Sequence, residues 1–106
     1  METKTSLHYK NDRKSRENVI ENRLGGLGTI VDSFIVDNGH SKGEEIHSVT
    51  EHGVIIIQNR KTNKLITELI GRPAQIKKLY QSVGRKPPRD ILHRAYQNCI
   101  KGYHHT

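Results

Sequence analysis

The middle of the chain carries short apolar runs of strand length, separated by residues typical of turns. The turn residues Asn38-Gly39, His52-Gly53 and RKTN precede the runs EEIHSVT, VIIIQN and KLITELI, in that order. Strands this close in sequence leave no room for the long crossover that parallel pairing needs. The pattern therefore predicts a four-stranded antiparallel β-meander over residues 33–70, with strands at about residues 33–38, 44–50, 54–59 and 64–70.

Helical periodicity flanks this sheet on both sides. Residues 10–24 carry apolar positions at three- and four-residue spacing, and the glycines of GGLG end that segment. After Pro73, a helical pair is predicted over residues 74–101, divided by the stiff basic piece RKPPRD. The fold class is thus α+β: one domain over residues 1–106, with an N-terminal helix, two C-terminal helices and a flexible start at residues 1–9.

Strand alternation sorts the polar side chains of the sheet into two faces. His47 shares its face with Glu45 and Val49, and Thr67 shares its face with Leu65 and Leu69. Which of these residues lie side by side depends on the pairing register, which the sequence leaves open. Because helices cover only part of such a sheet, one face is expected to stay partly open as a concave surface.

Charge is distributed unevenly along the chain, which carries a formal net charge of +7. Residues 1–23 sum to +2, residues 24–59 to −4 and residues 60–106 to +9. A basic excess concentrated in one part of a chain is what a phosphate-facing surface requires, and it favours nucleic acid as a partner. Lys/Arg-rich helices that are merely solvated would give the same totals.

Cysteine and histidine usage argues against a metal or a cofactor. The single cysteine, Cys99, excludes an intramolecular disulfide and favours a reducing cytoplasm. It also excludes Cys₄ and Cys₂His₂ zinc sites, and the seven histidines form no HExxH pattern. No apolar run approaches membrane-spanning length, so no membrane association is expected.

Metal-free RNA cleavage is the chemistry for which the polar residues fit best. The 2′-hydroxyl of RNA is the nucleophile, so the protein must supply proton transfer and a cation for the phosphate. Histidine suits the proton transfer near neutral pH, and the planar fork of arginine suits the phosphate. His47, Thr67, Arg72 and Gln75 surround the predicted sheet, and Arg72 also lies at a predicted helix start, where free N–H groups attract anions.

The segments HYKNDRKSR and KLIT together resemble motifs of the barnase–EndoU–colicin–RelE-like (BECR) nuclease superfamily. In that superfamily His and Arg residues on a first helix precede strands that end in (V/L)(I/V)T, and the matching residues here are His8, Arg13, Arg16 and Thr67. The text from Gly53 to Tyr80 also looks like that of small proteins from prophages and other mobile elements. The resemblance implies a metal-independent ribonuclease, often acting as a toxin with a cognate antitoxin.

The predicted function is therefore a toxin-type, metal-independent ribonuclease that needs no cofactor. The predicted catalytic residues are His47, Arg72, Thr67 and His8. The predicted nucleic-acid-binding residues are Arg13, Arg16, Arg60, Lys61, Lys64, Gln75, Lys77, Lys78, Arg85, Lys86 and Arg89. Two alternatives stay open: a non-catalytic nucleic-acid-binding module, and a mobile-element effector that binds and inhibits a host protein. The ribonuclease hypothesis requires that an imidazole and a guanidinium converge over one open patch of the sheet.

Overall fold

The sheet and its flanking helices follow the order that the sequence predicts. The computed structural model describes residues 15–37 and 43–103, so the predicted flexible segment at residues 1–9 lies outside them. The elements are α1 (residues 15–24, of which Ile20–Leu24 is π-helical), β1 (Ile30–Asp37), β2 (Glu44–Thr50), β3 (Val54–Asn59), β4 (Leu65–Ile70), α2 (Pro73–Gln81) and α3 (Arg89–Ile100).

The four strands form one antiparallel sheet in the order β1-β2-β3-β4, which confirms the predicted α+β meander. β1 begins three residues earlier than predicted, because Ile30 pairs with Thr50 across an irregularity that precedes the pair Asp32 and Val49. β1 and β4 are the two edge strands. Of the residues described, none lies in a helix with the length and apolar character that crossing a membrane requires.

One face of the sheet packs against α2 and α3 and forms the larger core. Phe34, Val49, Ile55 and Ile57 project from the strands, and Ile76, Tyr80, Ile91 and Ala95 project from the helices. The Tyr80 ring meets the Phe34 ring edge to face, with centroids 4.8 Å apart, and its hydroxyl donates to Asp32. These contacts fix α2 over the sheet, and with it the side chains that α2 carries toward the candidate site.

The opposite face is covered by α1 near the β4 edge. Ile20 and Leu24 are buried against Val54 and Ile70, which form a directly opposed pair on β3 and β4. Gly25 ends α1 in the left-handed conformation, at φ 80°, which a residue without Cβ adopts without strain. α1 is therefore held beside β4, the strand that carries Thr67.

Polar contacts join the loop after α1 to the turn between β2 and β3. The Glu51 carboxylate accepts the Thr29 N–H at 2.8 Å, and His52 Nδ1 donates to the Gly26 carbonyl at 2.9 Å. Arg94 of α3 donates to the Leu24 carbonyl at 3.1 Å. His52 is half-buried, and its hydrogen bond to Gly26 ties the end of α1 to this turn.

We expect the Glu51 contact to make stability depend on pH in the acid range. The hydrogen bonds from Thr29 hold the pKa of Glu51 below its ordinary value of 4.5. A carboxyl with a lowered folded-state pKa stabilises the fold above its unfolded pKa and loses that contribution as pH falls through the folded value. Glu51→Gln should therefore lose less stability than the wild type between pH 5 and pH 3 in urea titrations, and an unchanged pH profile would contradict the assignment.

Candidate functional site

One row of side chains crosses the whole sheet and contains both His47 and Thr67. Phe34 lies opposite His47, His47 opposite Ile57, and Ile57 opposite Thr67. Directly opposed residues of antiparallel strands project to the same side. His47 and Thr67 therefore share the face that α2 and α3 partly cover, two strand spacings or about 10 Å apart. The observed pairing of β2, β3 and β4 gives the register that the sequence leaves open.

Arg16 of α1 reaches the Thr67 end of this row. Its Nη2 donates to Thr67 Oγ1 at 3.2 Å, although 51 positions separate the two residues in the chain. β4 has an extra residue, Ile66, beside Thr67, because Ile57 pairs with Thr67 and Gln58 with Leu65. The Arg16 Nε atom is buried and has no hydrogen-bond partner among the residues that the structure describes. The Nε–H group of Arg16 therefore makes no hydrogen bond within the described part of the chain.

A cavity of about 170 Å³ opens beside this arginine, between the end of β4 and the start of α2. We call it the basic cavity; its lining residues are Arg16, Leu69, Ile70, Arg72, Gln75 and Tyr103. Two guanidinium groups and one amide line this space, with no carboxylate among the lining residues. An anion is the ligand that such a donor set favours.

The start of α2 adds backbone donors to the same place. Arg72 precedes the helix, and its N–H is accepted by Gln75 Oε1 at 2.8 Å, which leaves the Gln75 Nε2 group to serve a ligand. The N–H groups of the first helical turn have no intrahelical acceptor and carry a partial positive charge. Pro73, the first residue of α2, has no N–H, so the backbone donors of this turn begin at Ala74.

A larger cavity of about 420 Å³ adjoins the basic cavity between the sheet and α2. We call it the apolar cavity; its lining residues are Ile35, Val36, Asp37, His47, Ile55, Ile57, Leu69, Gln75, Lys78, Leu79 and Ser82. Leu69 and Gln75 line both cavities. His47 lines the apolar cavity, and Arg16 and Arg72 line the basic cavity. The side chains of Leu69 and Gln75 therefore separate the imidazole from the two guanidinium groups.

His47 is oriented by its neighbour along β2. Its Nε2 lies 3.0 Å from Glu45 Oε1, and its side chain is 17% exposed. Since a carboxylate accepts, Nε2 carries the proton, and Nδ1 is the nitrogen that a neutral imidazole offers as a base. Glu45 was not among the predicted site residues, but its position two residues before His47, on the same strand face, was the signal that could have identified it.

Of the remaining predicted residues that the structure describes, Lys78 lines a cavity and the others lie elsewhere. Lys78 lines the apolar cavity, while Lys77 is exposed on α2 and lines neither cavity. Arg85 pairs with Asp32 at 3.1 Å and covers the Tyr80 ring, so it supports the core. In the β3–β4 turn Arg60 pairs with Glu44. Exposed positions away from both cavities are held by Lys61, Lys64, Lys86 and Arg89.

Two predicted residues fall outside the part of the chain that the structure describes, namely His8 and Arg13. Within residues 15–37 and 43–103, no group of three or more His, Cys, Asp or Glu side chains is arranged to hold a metal ion. Comparison of the chain with protein-family models, with curated proteins and with solved structures gave no match.

Proposed function

We propose that this protein is a metal-independent ribonuclease that acts on RNA by acid–base catalysis. The observation that carries the proposal is the hydrogen bond from Arg16 to Thr67 at the rim of the basic cavity. It joins the two distant pieces of sequence on which the resemblance to BECR nucleases depends, and it does so beside a second arginine, Arg72. This contact supports a shared site for one phosphate.

The basic cavity would hold the scissile phosphodiester. The Arg16 guanidinium is fixed on one side by its hydrogen bond to Thr67, and Arg16 lines the same space as Arg72 and Gln75. Preorganised donors of this kind stabilise the charge that develops on a five-coordinate phosphorus without reorganising during the reaction. Arginine keeps its charge throughout, which suits it to this role better than lysine.

His47 would supply proton transfer from the adjoining apolar cavity. Its Nδ1 takes the proton of the 2′-hydroxyl, the 2′-oxygen bonds to phosphorus, and the bond from phosphorus to the 5′-oxygen breaks. The 5′-oxygen leaves with a proton from solvent or from His8, and the products are a 2′,3′-cyclic phosphate and a 5′-hydroxyl.

Arg16→Ala is expected to lower RNA cleavage by about 10²- to 10³-fold, the usual cost of removing one preorganised donor from a developing oxyanion. The measurement is the rate of product formation from end-labelled RNA in EDTA, with the 2′,3′-cyclic phosphate identified by its resistance to phosphatase. Arg23→Ala removes an exposed arginine from the last turn of the same helix and should leave the rate within a factor of about two.

Three further outcomes test the proposal against its alternatives. Thr67→Val keeps the shape of the strand residue and removes the acceptor of Arg16, so it should lower the rate less than Arg16→Ala. If the wild type leaves RNA intact but shifts its mobility in a salt-sensitive way, the protein is a non-catalytic binder and the ribonuclease proposal is wrong. Equal losses in Arg16→Ala and Arg23→Ala would show that net charge alone matters, and that the basic cavity is not the site.

A further inference from the structure

We propose that the outer edge of β1 pairs with β1 of a second copy of this chain, so that the two four-stranded sheets join into one continuous antiparallel sheet. The inference goes beyond the proposed function and does not depend on it, because it uses only the sheet and the side chains around its free edge. It assigns an interaction surface and names a second copy as the partner.

β1 presents an unpaired backbone edge. Within the part of the chain that the structure describes, the strand order β1-β2-β3-β4 gives β1 a neighbour on one side only. Its pairing with β2 is uninterrupted from Asp32 to Asp37, so the strand is regular over this stretch. Alternate N–H and C=O groups of the stretch therefore point away from β2, where a further strand can bind them.

The side chains of β1 do not protect this edge. Exposed edge strands usually carry lysine or proline, or are covered by another element, which prevents pairing with a second chain. The strand sequence IVDSFIVD contains no lysine, arginine, proline or glycine, and its apolar residues Ile30, Val31 and Ile35 are about half exposed. A partner strand along this edge would remove such apolar surface from water.

β4, the other edge strand, is less suited to pairing. The extra residue Ile66 interrupts its register with β3. Arg16 of α1 also reaches this strand and donates to Thr67. An extra residue and a covering side chain both oppose the addition of a strand, so β1 is the edge that remains for a partner.

Charge changes sign along β1. Beside its first half, Arg85 pairs with Asp32 at 3.1 Å, and the exposed Lys86 adds a second positive charge. At its end, Asp37 lies opposite Glu44 of β2, so two carboxylates are neighbours there. A strand edge with a basic half and an acidic half is complementary to itself in the antiparallel orientation, which favours a second copy over an unrelated strand.

A two-fold axis uses this complementarity twice. An axis perpendicular to the sheet at Phe34 keeps the helices of both copies on the same side, and it brings the Arg85 end of one strand to the Asp37 end of the other. In this register Asp32 lies opposite Val36 of the second copy. No carboxylate within the paired strands is then opposed by another, an arrangement that like charges would destabilise.

The expected dimer is weak and leaves the basic cavity open. That cavity lies beside β4 and the start of α2, at the edge of the sheet opposite the interface. Stable complexes bury about 800 Å² on each partner, and a single pair of strands buries less. We therefore expect reversible association with a dissociation constant in the micromolar range.

The first test is sedimentation velocity of the full chain at increasing concentration, in about 0.15 M salt, which screens the net charge of +7 on each copy beyond about 8 Å. The wild type should shift from the monomer mass toward twice that mass. Ile35→Lys places a lysine on the edge of both copies and should raise the dissociation constant by about 10-fold or more.

Leu65→Lys is the matched control. Ile35 and Leu65 lie in one row across the sheet, at opposite edges, and they are 48% and 44% exposed. Both variants add the same charge, so Leu65→Lys should leave the dissociation constant within a factor of about two if β1 is the interface.

Hydrogen exchange of the wild type locates the interface without any variant, and it decides the matter if Ile35→Lys fails to fold. Raising the protein concentration should slow amide exchange within residues 32–37 and leave exchange in β4 unchanged. A monomer at every concentration, equal weakening in both lysine variants, or a dimer with unprotected β1 amides would each overturn the proposal. Neither measurement involves RNA, so its result is independent of the ribonuclease proposal.

Discussion

His47→Ala is expected to lower the rate of RNA cleavage by about 10²- to 10⁴-fold, the contribution usually made by a positioned general acid or base. The imidazole is fixed by Glu45 at 3.0 Å and borders a cavity that adjoins the two arginines of the basic cavity. The cleavage rate should fall while the affinity for 2′-O-methyl RNA changes little, because the phosphate contacts remain. The measurement is single-turnover cleavage at saturating protein.

The control for His47 is His93, an exposed histidine on α3. His93→Ala should leave the single-turnover rate unchanged. A purely structural role for His47 would be revealed by the pH profile of cleavage, since loss of a general base changes the shape of that profile, whereas loss of packing lowers the rate by the same factor at every pH. If His47→Ala keeps the shape of the wild-type profile, the proton-transfer role assigned to His47 is wrong, and His8→Ala becomes the next variant to measure.

Local signals account for the parts of this fold that the sequence predicts well. β2 and β3 lie where the alternation of side chains and the flanking turn residues place them, because each signal is contained within a few neighbouring positions. The antiparallel order of the strands follows from the short connections alone. The same reasoning correctly placed His47 with Glu45 on one strand face.

The site itself depends on contacts that no local pattern encodes. The row from His47 through Ile57 to Thr67 is set by the pairing register, and the extra residue Ile66 interrupts that register where β4 leaves the turn. The hydrogen bond from Arg16 to Thr67 requires α1 to lie beside β4, which depends on the packing of Ile20 and Leu24. Both follow from tertiary packing, which single-sequence periodicity does not report.

Helix periodicity alone does not tell which aromatic residues of the two C-terminal helices are buried. Tyr80 and Tyr96 both fit an apolar helix stripe, and Tyr80 is fully buried. Tyr96, however, is 59% exposed, because α3 turns Ile91 and Ala95 toward the core and leaves the next position facing outward. An aromatic residue at the edge of an apolar stripe fits the helix periodicity as well as one at its centre. The side of α3 that faces the sheet, which tertiary packing sets, had to be known before Tyr96 could be placed on the exposed side.

Tyr80→Ala is expected to lower the free energy of unfolding by about 3–5 kcal/mol, the usual cost of deleting a buried aromatic ring. The ring is completely buried, packs edge to face on Phe34 and lies beneath the Arg85 guanidinium. Urea unfolding followed by circular dichroism gives the difference. Tyr96→Ala, on the neighbouring helix, removes an exposed ring of the same size and should change stability by no more than about 0.5 kcal/mol.

Tyr80→Phe removes the hydroxyl and keeps the ring, so it measures the contribution of the hydroxyl alone. It also tests whether this part of the core affects the candidate site. Burial, reinforced by the hydrogen bond to Asp32, raises the pKa of Tyr80 well above its ordinary value of 10.0, so the hydroxyl remains a donor at neutral pH and loses this contribution only in strong alkali. Losing one hydrogen bond to a charged partner should cost about 1.5–3 kcal/mol. Because α2 carries Gln75 and Lys78 into the lining of the apolar cavity, a variant that still folds should keep its rate of RNA cleavage, and a lower rate at full folding would mean that the Tyr80 hydroxyl also positions α2 over the sheet.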